Sequence, residues 1–454
     1  MKKQLQIFFD FLRFCIDSAK EIPDSLKETD WKEIYAIAQK QCLVGVLFDG
    51  IRKLPAEYVG MKKELLLQWM AESQMLEKTN VRLNDAAIQV SEWFRKKGFR
   101  TCILKGQGNA LMYPNPNSRT PGDIDIWVEG GDKRVISFVR SISPHEKACY
   151  HHIEFPSYKG VEVEVHYRPS FLLCFWHNRK LQKYYERVKE EQFSHRVMLG
   201  EQGEIAIPMV EFNLIFQLTH IFSHLMNEGI GLRQLLDYYY VLCDFYKVYQ
   251  KSSKITPSLF TLKEGSTSHP DPLTLRGEGG NRPTRCSEPL RSKDGGPSKV
   301  SPDSAGWDRR DAIGDMTSAT AATSTDTSAT AARSSFAANS SAAIDRVQKE
   351  LNELGLWKFA GGIMYIMQEV FGMPASRLIV PPNEKYGKFV LNEVLEAGNF
   401  GKHDERNRFG RSKLGHNLQR VYRDIRLVKF FPAEALSEPF FRVWHFFWRM
   451  KNKK

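Results

Sequence analysis

Apolar residues recur every three or four positions along most of this chain, a period that is typical of amphipathic helices. Residues 1–97 carry such stripes, for example at Leu65, Trp69 and Leu76, and this segment is predicted to be helical. The same period returns after residue 171 and predicts four long helices, at 210–227, 232–249, 345–371 and 418–431. Helical regions are therefore expected on both sides of the middle of the chain.

Between residues 98 and 170 the pattern changes to that of short strands. Apolar or alternating runs predict three strands, at 101–104, 123–128 and 161–167. A short helix is expected at 108–113, and Asp132 is predicted to cap a helix that ends at Arg140. The sequence thus predicts an α+β fold, in which a small mixed β-sheet core is flanked by N- and C-terminal helical domains.

The composition changes abruptly at residues 251–343, where Pro, Gly, Ser, Thr and Ala dominate and the apolar period vanishes. Such a segment buries too little apolar surface to offset the entropy of ordering it, so we expect a long disordered insertion between two helices. The predicted organisation is an N-terminal helical region (1–97), an α/β core (98–170), the first part of a helical domain (171–250), the insertion (251–343), and a second helical part with a basic aromatic C-terminus (344–454).

The composition argues against a membrane-spanning protein and favours one from a reducing compartment. The chain has 454 residues, of which 42% are hydrophobic, and no run of 18 apolar residues occurs, so no transmembrane segment is expected. An apolar run follows Lys3, but Asp10 and Arg13 interrupt it, which favours an amphipathic first helix over a leader peptide. Seven scattered cysteines without a Cys-x-x-Cys pair favour a reducing compartment, and we predict a cytoplasmic protein.

The charge balance indicates an anionic partner. Lys and Arg number 65 and Asp and Glu 53, so the formal net charge is +12, and a surplus of this size attracts nucleotides, RNA or anionic lipid. The C-terminus adds basic residues to an aromatic run that includes Phe440, Trp444 and Trp448. Contact with nucleic acid or an anionic membrane is one interpretation of this run, and a helix packed on the core with a charged tail is the other.

The strongest chemical signal is Gly-Asp-Ile-Asp-Ile-Trp-Val at residues 122–128. Because alternate residues of a strand point to the same face, Asp123 and Asp125 project together while the aliphatic residues enter the core. Two adjacent carboxylates repel each other unless a cation neutralises them. The pattern therefore indicates a metal site, with a solvated strand edge as the plainer alternative.

A second acidic strand favours the metal site. In the strand at 161–167, Glu162, Glu164 and His166 share one face, opposite the valines. Either glutamate qualifies as a third acidic ligand, and Glu164 is favoured by its position before the histidine. His166 itself either orients a carboxylate or approaches substrate, or is simply a hydrogen-bonded strand histidine.

Residues that could contact phosphate lie before the first acidic strand. Lys105 and Gly106 end the first strand at a turn into a helix, where backbone N–H groups and a lysine can contact phosphate oxygens. Arg119, four residues before the first aspartate, is another candidate phosphate contact. Three carboxylates on adjacent strands can hold two Mg²⁺ ions about 3.5–4 Å apart, one lowering the pKa of an attacking hydroxyl and the other gripping a triphosphate.

Together these motifs resemble those of the uncharacterised nucleotidyltransferase family of the DNA polymerase β-like superfamily. The motifs that carry the resemblance are Leu104-Lys105-Gly106, Tyr113, Arg119, Asp123-Ile124-Asp125, Glu164-Val165-His166-Tyr167, and a His…His…Arg…Asp pattern at His220, His224, Arg233 and Asp237. The resemblance implies that Asp123, Asp125 and Glu164 are metal ligands. It also implies that Lys105 and Gly106 belong to the nucleotide loop, where the superfamily at large has Gly-Gly or Gly-Ser.

The helical part of the resemblance leaves its own alternatives. His220 and His224 lie one turn apart on a helix, a spacing found in metal sites. They are interpreted either as zinc ligands or, with Arg233 and Asp237, as a polar cluster that faces the cleft. A buried Arg–Asp pair with a purely architectural role is the third interpretation.

The motifs and the resemblance predict a nucleotidyltransferase. An acceptor hydroxyl would attack the α-phosphate of an NTP with the help of Mg²⁺ or Mn²⁺, and pyrophosphate would be released. The acceptor is a small molecule, a sugar phosphate, a protein or an RNA, and the motifs do not choose among these. Two alternatives stay open: a catalytically inactive nucleotide- or RNA-binding module, and a toxin–antitoxin-type nucleotidyltransferase that acts on RNA or protein.

Overall fold

The computed structural model describes residues 2–18, 21–201, 203–255, 341–406 and 413–452. The chain divides into two units, one formed by Met1–Ile255 with Ala332–Lys454 and the other by Thr256–Ala331. The second unit, and with it most of the predicted insertion at 251–343, lies outside the described residues. The two ends of that predicted stretch, 251–255 and 341–343, are helical.

The N-terminal region consists of helices that pack around aromatic residues. Its helices are α1 (Lys2–Cys15), α2 (Trp31–Lys40), α3 (Val44–Ile51) and the long α4 (Lys63–Lys96). Asp30 caps α2, because its carboxylate accepts hydrogen bonds from the N–H groups of Lys32 and Glu33. The predicted amphipathic first helix is thus present, with Phe8, Phe11 and Leu12 fully buried.

A small mixed sheet follows, as predicted for residues 98–170, but it has four strands where three were expected. Its elements are β1 (Thr101–Ile103), the short helix α5 (Gln107–Ala110), β2 (Ile124–Val128), α6 (Gly131–Ile142), β3 (His152–Tyr158) and β4 (Val161–His166). The strand order is β1-β2-β4-β3, and only the central β2–β4 pair is parallel. The α+β prediction is confirmed.

Two details of this module differ from the sequence-based prediction. Gly130 rather than Asp132 is the N-cap of α6, and the Asp132 carboxylate instead accepts hydrogen bonds from the N–H of Lys133 and from Arg168. Strand β3 was not predicted; it joins β4 through Lys159 and Gly160, both with positive φ, which is the geometry of a tight two-residue hairpin turn.

Helices make up most of the remaining described chain. They are α7 (Phe175–Ser194), α8 (Val210–Asn227), α9 (Leu232–Ile255), α10 (341–353), α11 (Trp357–Glu369), α12 (Glu384–Ala397), α13 (Lys413–Val428) and α14 (Pro432–Lys451). A small hairpin of β5 (Arg196–Met198) and β6 (Glu204–Ala206) lies between α7 and α8. Among the described residues, no helix has the length and apolarity that crossing a bilayer requires.

The sheet lies between two hydrophobic cores. On one face, Ile124, Ile126 and Val128 of β2 pack with residues of α4 and α6. On the other face, Trp127 packs with Phe193 of α7 and Phe212 of α8, within a larger core shared by the helical regions. This second face also carries Asp125, so the helical region and the sheet together surround the acidic residues.

Helix α14 is fixed to the start of α7 by a buried carboxylate. Glu434 accepts hydrogen bonds from the backbone N–H groups of Leu173 and Cys174, at 2.6 and 2.8 Å, and its other oxygen lies 3.0 Å from His177 Nδ1. These backbone groups precede α7 and would otherwise lack partners. The contact brings the aromatic C-terminal helix to the edge of the sheet.

Candidate active site

Parallel pairing of β2 and β4 brings the predicted acidic residues together. The register sets Asp125 opposite Glu164, and Asp123 lies just before the start of β2. One carboxylate oxygen from each of Asp123, Asp125 and Glu164 lies within 4.8 Å of the others. The sequence-based candidates for metal ligands therefore converge at one point at the end of the central strands.

Glu162 lies apart from this cluster. It is exposed, and among the described residues it belongs to no group of His, Cys, Asp and Glu side chains close enough to share a metal ion. Glu162 and Glu164 lie on the same face of β4, but only Glu164 is paired with Asp125 of β2. Position along the strand, rather than the face, separates the two glutamates.

Lys105 supplies the counter-charge for the aspartates. Its Nζ lies 2.9 Å from Asp125 Oδ2 and 3.7 Å from Asp123 Oδ1, and the lysine side chain is mostly buried. Burial alone would lower the pKa of Lys105, but the carboxylates of Asp123 and Asp125 outweigh it and raise that pKa. The lysine therefore stays charged at the point where the carboxylates meet.

His166 is a second cation in the same cluster. Its Nε2 lies 3.0 Å from Asp125 Oδ1 and 3.5 Å from Glu164 Oε2. Burial would lower the pKa of His166, but the hydrogen bonds to Asp125 and Glu164 raise it to about 9. Burial likewise would raise the pKa of the Asp125 carboxyl, yet Lys105 and then His166 hold it below its ordinary range.

Two further histidines adjoin the site and had not been predicted. His152 Nδ1 lies 3.4 Å from Glu164 Oε2 and 3.0 Å from His151 Nε2. Burial lowers the pKa of His152 to about 4, and burial also lowers that of His151. The Lys159-Gly160 turn is the sequence signal that could have revealed β3, and with it the pairing of His152 with His166.

The turn after β1 requires a glycine. Gly106 has a φ of +66°, a left-handed conformation that side chains other than glycine rarely adopt, and it is the N-cap of α5. The preceding residue in this turn is Lys105, whose ammonium meets the carboxylates. The turn from strand to helix that was predicted at Lys105 and Gly106 is thus present.

Arg119 lies in a buried ion pair instead of the cleft. Its guanidinium binds Asp237 of α9 through two parallel contacts of 2.8 Å, and the Tyr113 hydroxyl donates to the same carboxylate at 2.7 Å. Arg119 is 2% exposed. The arginine that was predicted to contact phosphate therefore joins α9 to the segment before β2.

The predicted His, His, Arg and Asp residues form two groups. His220 and His224 of α8 face each other with their Nε2 atoms 3.0 Å apart, and His224 Nδ1 lies 3.2 Å from Glu228. Burial, followed by the positive charge of Lys105, lowers the pKa of His220. No described group of metal-ligating side chains includes either histidine.

The second group is the Arg119–Asp237 pair with Arg233. Arg233 Nη1 lies 3.4 Å from the carbonyl oxygen of Thr120, and its guanidinium stands over the ring of Phe400, 5.8 Å from the centroid. Burial is the main reason why the pKa of Arg233 is lowered, and Arg119 adds to it. This group supports the loop before β2 rather than lining the acidic cluster.

Helix α14 borders the site through aromatic contacts. Phe171 lies between His151 and Phe441, with ring centroids 4.8 and 5.1 Å away, and Tyr150 packs on Trp444 at 5.3 Å. A cavity of about 750 Å³ opens between α7 and α14. Three exposed aromatic rings line this cavity, those of Phe175, Phe440 and Trp444. Arg179 and Lys183 also line it, and neither forms an ion pair among the described residues.

The site lies within a region that matches a known family. Residues 27–249 match the family model described as an uncharacterised nucleotidyltransferase, and this span includes the whole four-stranded sheet and helices α2 to α9 up to residue 249. Comparisons with curated proteins and with solved structures gave no significant match. The family match supports transferase activity and implies a nucleoside triphosphate as substrate.

Proposed function

We propose that this protein transfers a nucleoside monophosphate from an NTP to an acceptor hydroxyl with the help of divalent metal ions. The observation that carries the proposal is the convergence of Asp123, Asp125 and Glu164 within 4.8 Å on the paired strands, next to Lys105. The family match at residues 27–249 supports the same reaction class.

The carboxylates fit hard divalent cations. Carboxylate oxygens are the ligands that Mg²⁺ and Mn²⁺ prefer, and here three side chains converge where two cations of the protein already neutralise them. Asp123, Asp125 and Glu164 would hold the metal. A bound divalent ion would lower the pKa of the acceptor hydroxyl and neutralise charge on the triphosphate and the leaving pyrophosphate.

Lys105 and Gly106 would bind and orient the triphosphate for the transfer. In the transfer, the acceptor oxygen bonds to the α-phosphorus, the bond from that phosphorus to the bridging β-phosphate oxygen breaks, and pyrophosphate leaves with the electron pair. The hydroxyl proton passes to solvent. Lys105 would turn from the aspartates to the phosphates, whose negative charge it stabilises, while Gly106 lets the backbone approach the nucleotide without a side chain.

Nucleotide binding tests this proposal. Calorimetric titration of NTP in Mg²⁺ or Mn²⁺ should show binding that EDTA abolishes, and Asp123→Asn/Asp125→Asn or Glu164→Gln should weaken it at least about tenfold, or 1.4 kcal/mol. Glu162→Gln is the matched control, because this glutamate lies on the same strand but is exposed. Equal binding in all variants, or none in the wild type, would refute the metal site.

Turnover then separates an enzyme from the two alternatives. Pyrophosphate release should depend on an added acceptor and disappear in the aspartate variant. RNA ends come first among the acceptors to be screened, because exposed rings and unpaired cations in the cavity beside α14 are typical of nucleic-acid contacts. Metal-dependent binding without release on any acceptor favours an inactive binding module. Growth arrest on expression, abolished by Asp123→Ala, favours the toxin-type alternative.

A further inference from the structure

Three histidines lie at the ends of β3 and β4, beside the acidic cluster. The ring centroids of His151, His152 and His166 are 4.4 to 5.3 Å apart. The pairing of β3 with β4 sets His152 directly opposite His166, so their proximity is fixed by the sheet. Imidazole nitrogens therefore face the same space as the carboxylates.

Specific ligand atoms meet in this space. His152, Glu164 and His166 each offer one ligand atom within 4.8 Å of the others. Glu164 Oε2 lies 3.4 Å from His152 Nδ1 and 3.5 Å from His166 Nε2, and Asp125 Oδ1 is 3.0 Å from His166 Nε2. Two nitrogens and one or two carboxylate oxygens are a donor set that suits Zn²⁺, Mn²⁺ or Co²⁺ better than Mg²⁺, which prefers oxygen alone.

The surroundings of His166 orient it as a ligand. Its Nδ1 lies 3.3 Å from the carbonyl oxygen of Arg168, and its Nε2 faces Asp125 and Glu164. Without a metal, Nε2 carries a proton, and a bound ion would replace that proton. Histidines that bind metals commonly use the other ring nitrogen for such a backbone contact. His166 is 2% exposed and held by the sheet, so its orientation is fixed before any ion arrives.

The His152 side of the cluster is open to the exterior. A cavity of about 700 Å³ reaches His152 and Cys149, and α14 forms part of its wall through Phe446 and Arg449. An ion thus has a route to the nitrogen ligands that does not cross the hydrophobic core. The exposed fraction of the His152 side chain, 17%, agrees with such a route.

We infer that His152, Glu164 and His166, with Asp125, bind a transition-metal ion of the Zn²⁺, Mn²⁺ or Co²⁺ class on the β3 side of the site. This inference deepens the proposed function and rests on it, since Glu164 and Asp125 belong to both ligand sets. The two metal positions differ in their ligands. The position on the Asp123 side has oxygen ligands only, and the position on the His152 side has both nitrogen and oxygen ligands.

Cobalt supplies a direct probe, because Co²⁺ bound through nitrogen ligands absorbs visible light. Wild-type protein titrated with Co²⁺ alone should develop a visible band that equimolar Zn²⁺ removes and that millimolar Mg²⁺ leaves in place. His152→Gln should lower the Co²⁺ affinity at least about tenfold. His166→Gln should do the same if it folds, and circular dichroism and thermal unfolding verify the folding of each variant.

Asp123→Asn separates this inference from the proposed function. The variant lacks a ligand of the oxygen-only position, so it should lose Mg²⁺-dependent NTP binding while it retains the cobalt band. A cobalt band that persists in His152→Gln, or no band in the wild type, overturns the inference. In both of these cases the Mg²⁺-dependent NTP titration still decides the proposed function independently.

Discussion

Asp125 shows how the environment of one residue prepares the site. The carboxylate is 2% exposed, yet it stays charged because Lys105 and His166 approach its two oxygens at 2.9 and 3.0 Å. A buried charge of this kind is tolerated only when partners compensate for the lost hydration. A divalent ion would compensate for it in the same way, so the lysine and the metal compete for one carboxylate.

This competition predicts the behaviour of Lys105→Met. The variant should lose about 3–5 kcal/mol of unfolding free energy without metal, because Asp125 keeps its buried charge but loses a cation. Added Mn²⁺ should then stabilise the variant more than the wild type. Urea unfolding with Mn²⁺ and with EDTA measures both quantities.

Lys159→Met is the control for that experiment, since Lys159 forms an exposed pair with Asp85. We expect it to change stability by less than about 1 kcal/mol, with or without metal. If Mn²⁺ stabilises Lys105→Met and wild type equally, the lysine does not occupy the position of the metal charge.

Arg119 shows what a residue type alone leaves undecided. Its place before Asp123 suggested a phosphate contact, and an arginine suits phosphate and carboxylate equally because its guanidinium forms paired hydrogen bonds with either. Asp237, the residue that binds it, is 118 positions away. Only the packing of α9 against the loop before β2 reveals that partner.

At the scale of elements, the α13–α14 pair contains a pH-sensitive contact. Asp424 of α13 is buried near Glu438 of α14, and Arg442 hydrogen-bonds with that glutamate. Burial, followed by the negative charge of Glu438, raises the pKa of the Asp424 carboxyl from 3.8 to about 7. The folded state therefore retains a proton that the unfolded state loses between about pH 4 and pH 7.

Because the folded pKa is the higher one, this carboxyl makes the protein less stable as pH rises through that window. Asp424→Asn should therefore be more stable than the wild type at pH 8, by roughly 1–2 kcal/mol after solvent screening, and the difference should shrink toward pH 4. Urea unfolding at both pH values measures it, with Glu396→Gln as an exposed control. A difference that is independent of pH would contradict this assignment.

Helical periodicity alone does not locate the boundary between two consecutive helices. Residues 345–371 have a continuous helical period, yet the chain turns at Gly355, whose φ is +69°, and two helices result. A His177 side chain of α7 occupies the space next to Gly355, where a Cβ atom would clash. Gly355 is itself a local helix-stop signal, since glycine readily adopts the positive φ of a helix end, and periodicity alone overlooks it. The contact with His177 leaves no room there for a larger residue.

At the scale of the whole molecule, the segment at 256–331 should be dispensable for folding. The proposed deletion spares 251–255 and 341–343, because these residues are helical and Ala343 is fully buried in the core. With a Gly-Ser linker of roughly ten residues in place of 256–331, we expect cooperative thermal unfolding at a midpoint within about 2 °C of the full chain.

Calorimetry of the shortened protein checks this expectation, and NTP binding should also be retained because the acidic cluster comes entirely from residues 105–166. Folding should survive the deletion because the segment is rich in Ser, Thr, Ala, Gly and Pro and has few apolar residues to contribute to a core. Loss of cooperatively unfolding protein on deletion would show that the segment supports the rest.

The sequence by itself determined the fold class and the acidic strand motif. Alternation in 123–128 and 161–167 is a local property, because strand geometry alone places alternate residues on one face. It therefore identified Asp123, Asp125 and a glutamate of β4 as candidates. The turn at Gly106 and the helical regions on both sides of the sheet follow from equally local signals.

Tertiary structure decided which candidates meet. The choice between Glu162 and Glu164 depends on the β2–β4 register, the histidines of β3 enter the site through pairing with β4, and Arg119 leaves it for Asp237. The β2–β4 and Arg119–Asp237 contacts join residues far apart along the chain, so they depend on how whole elements pack, whereas the β3–β4 contact depends on a short hairpin turn. Local periodicity specifies the face a residue occupies, whereas strand register and helix packing specify the partner it finds there.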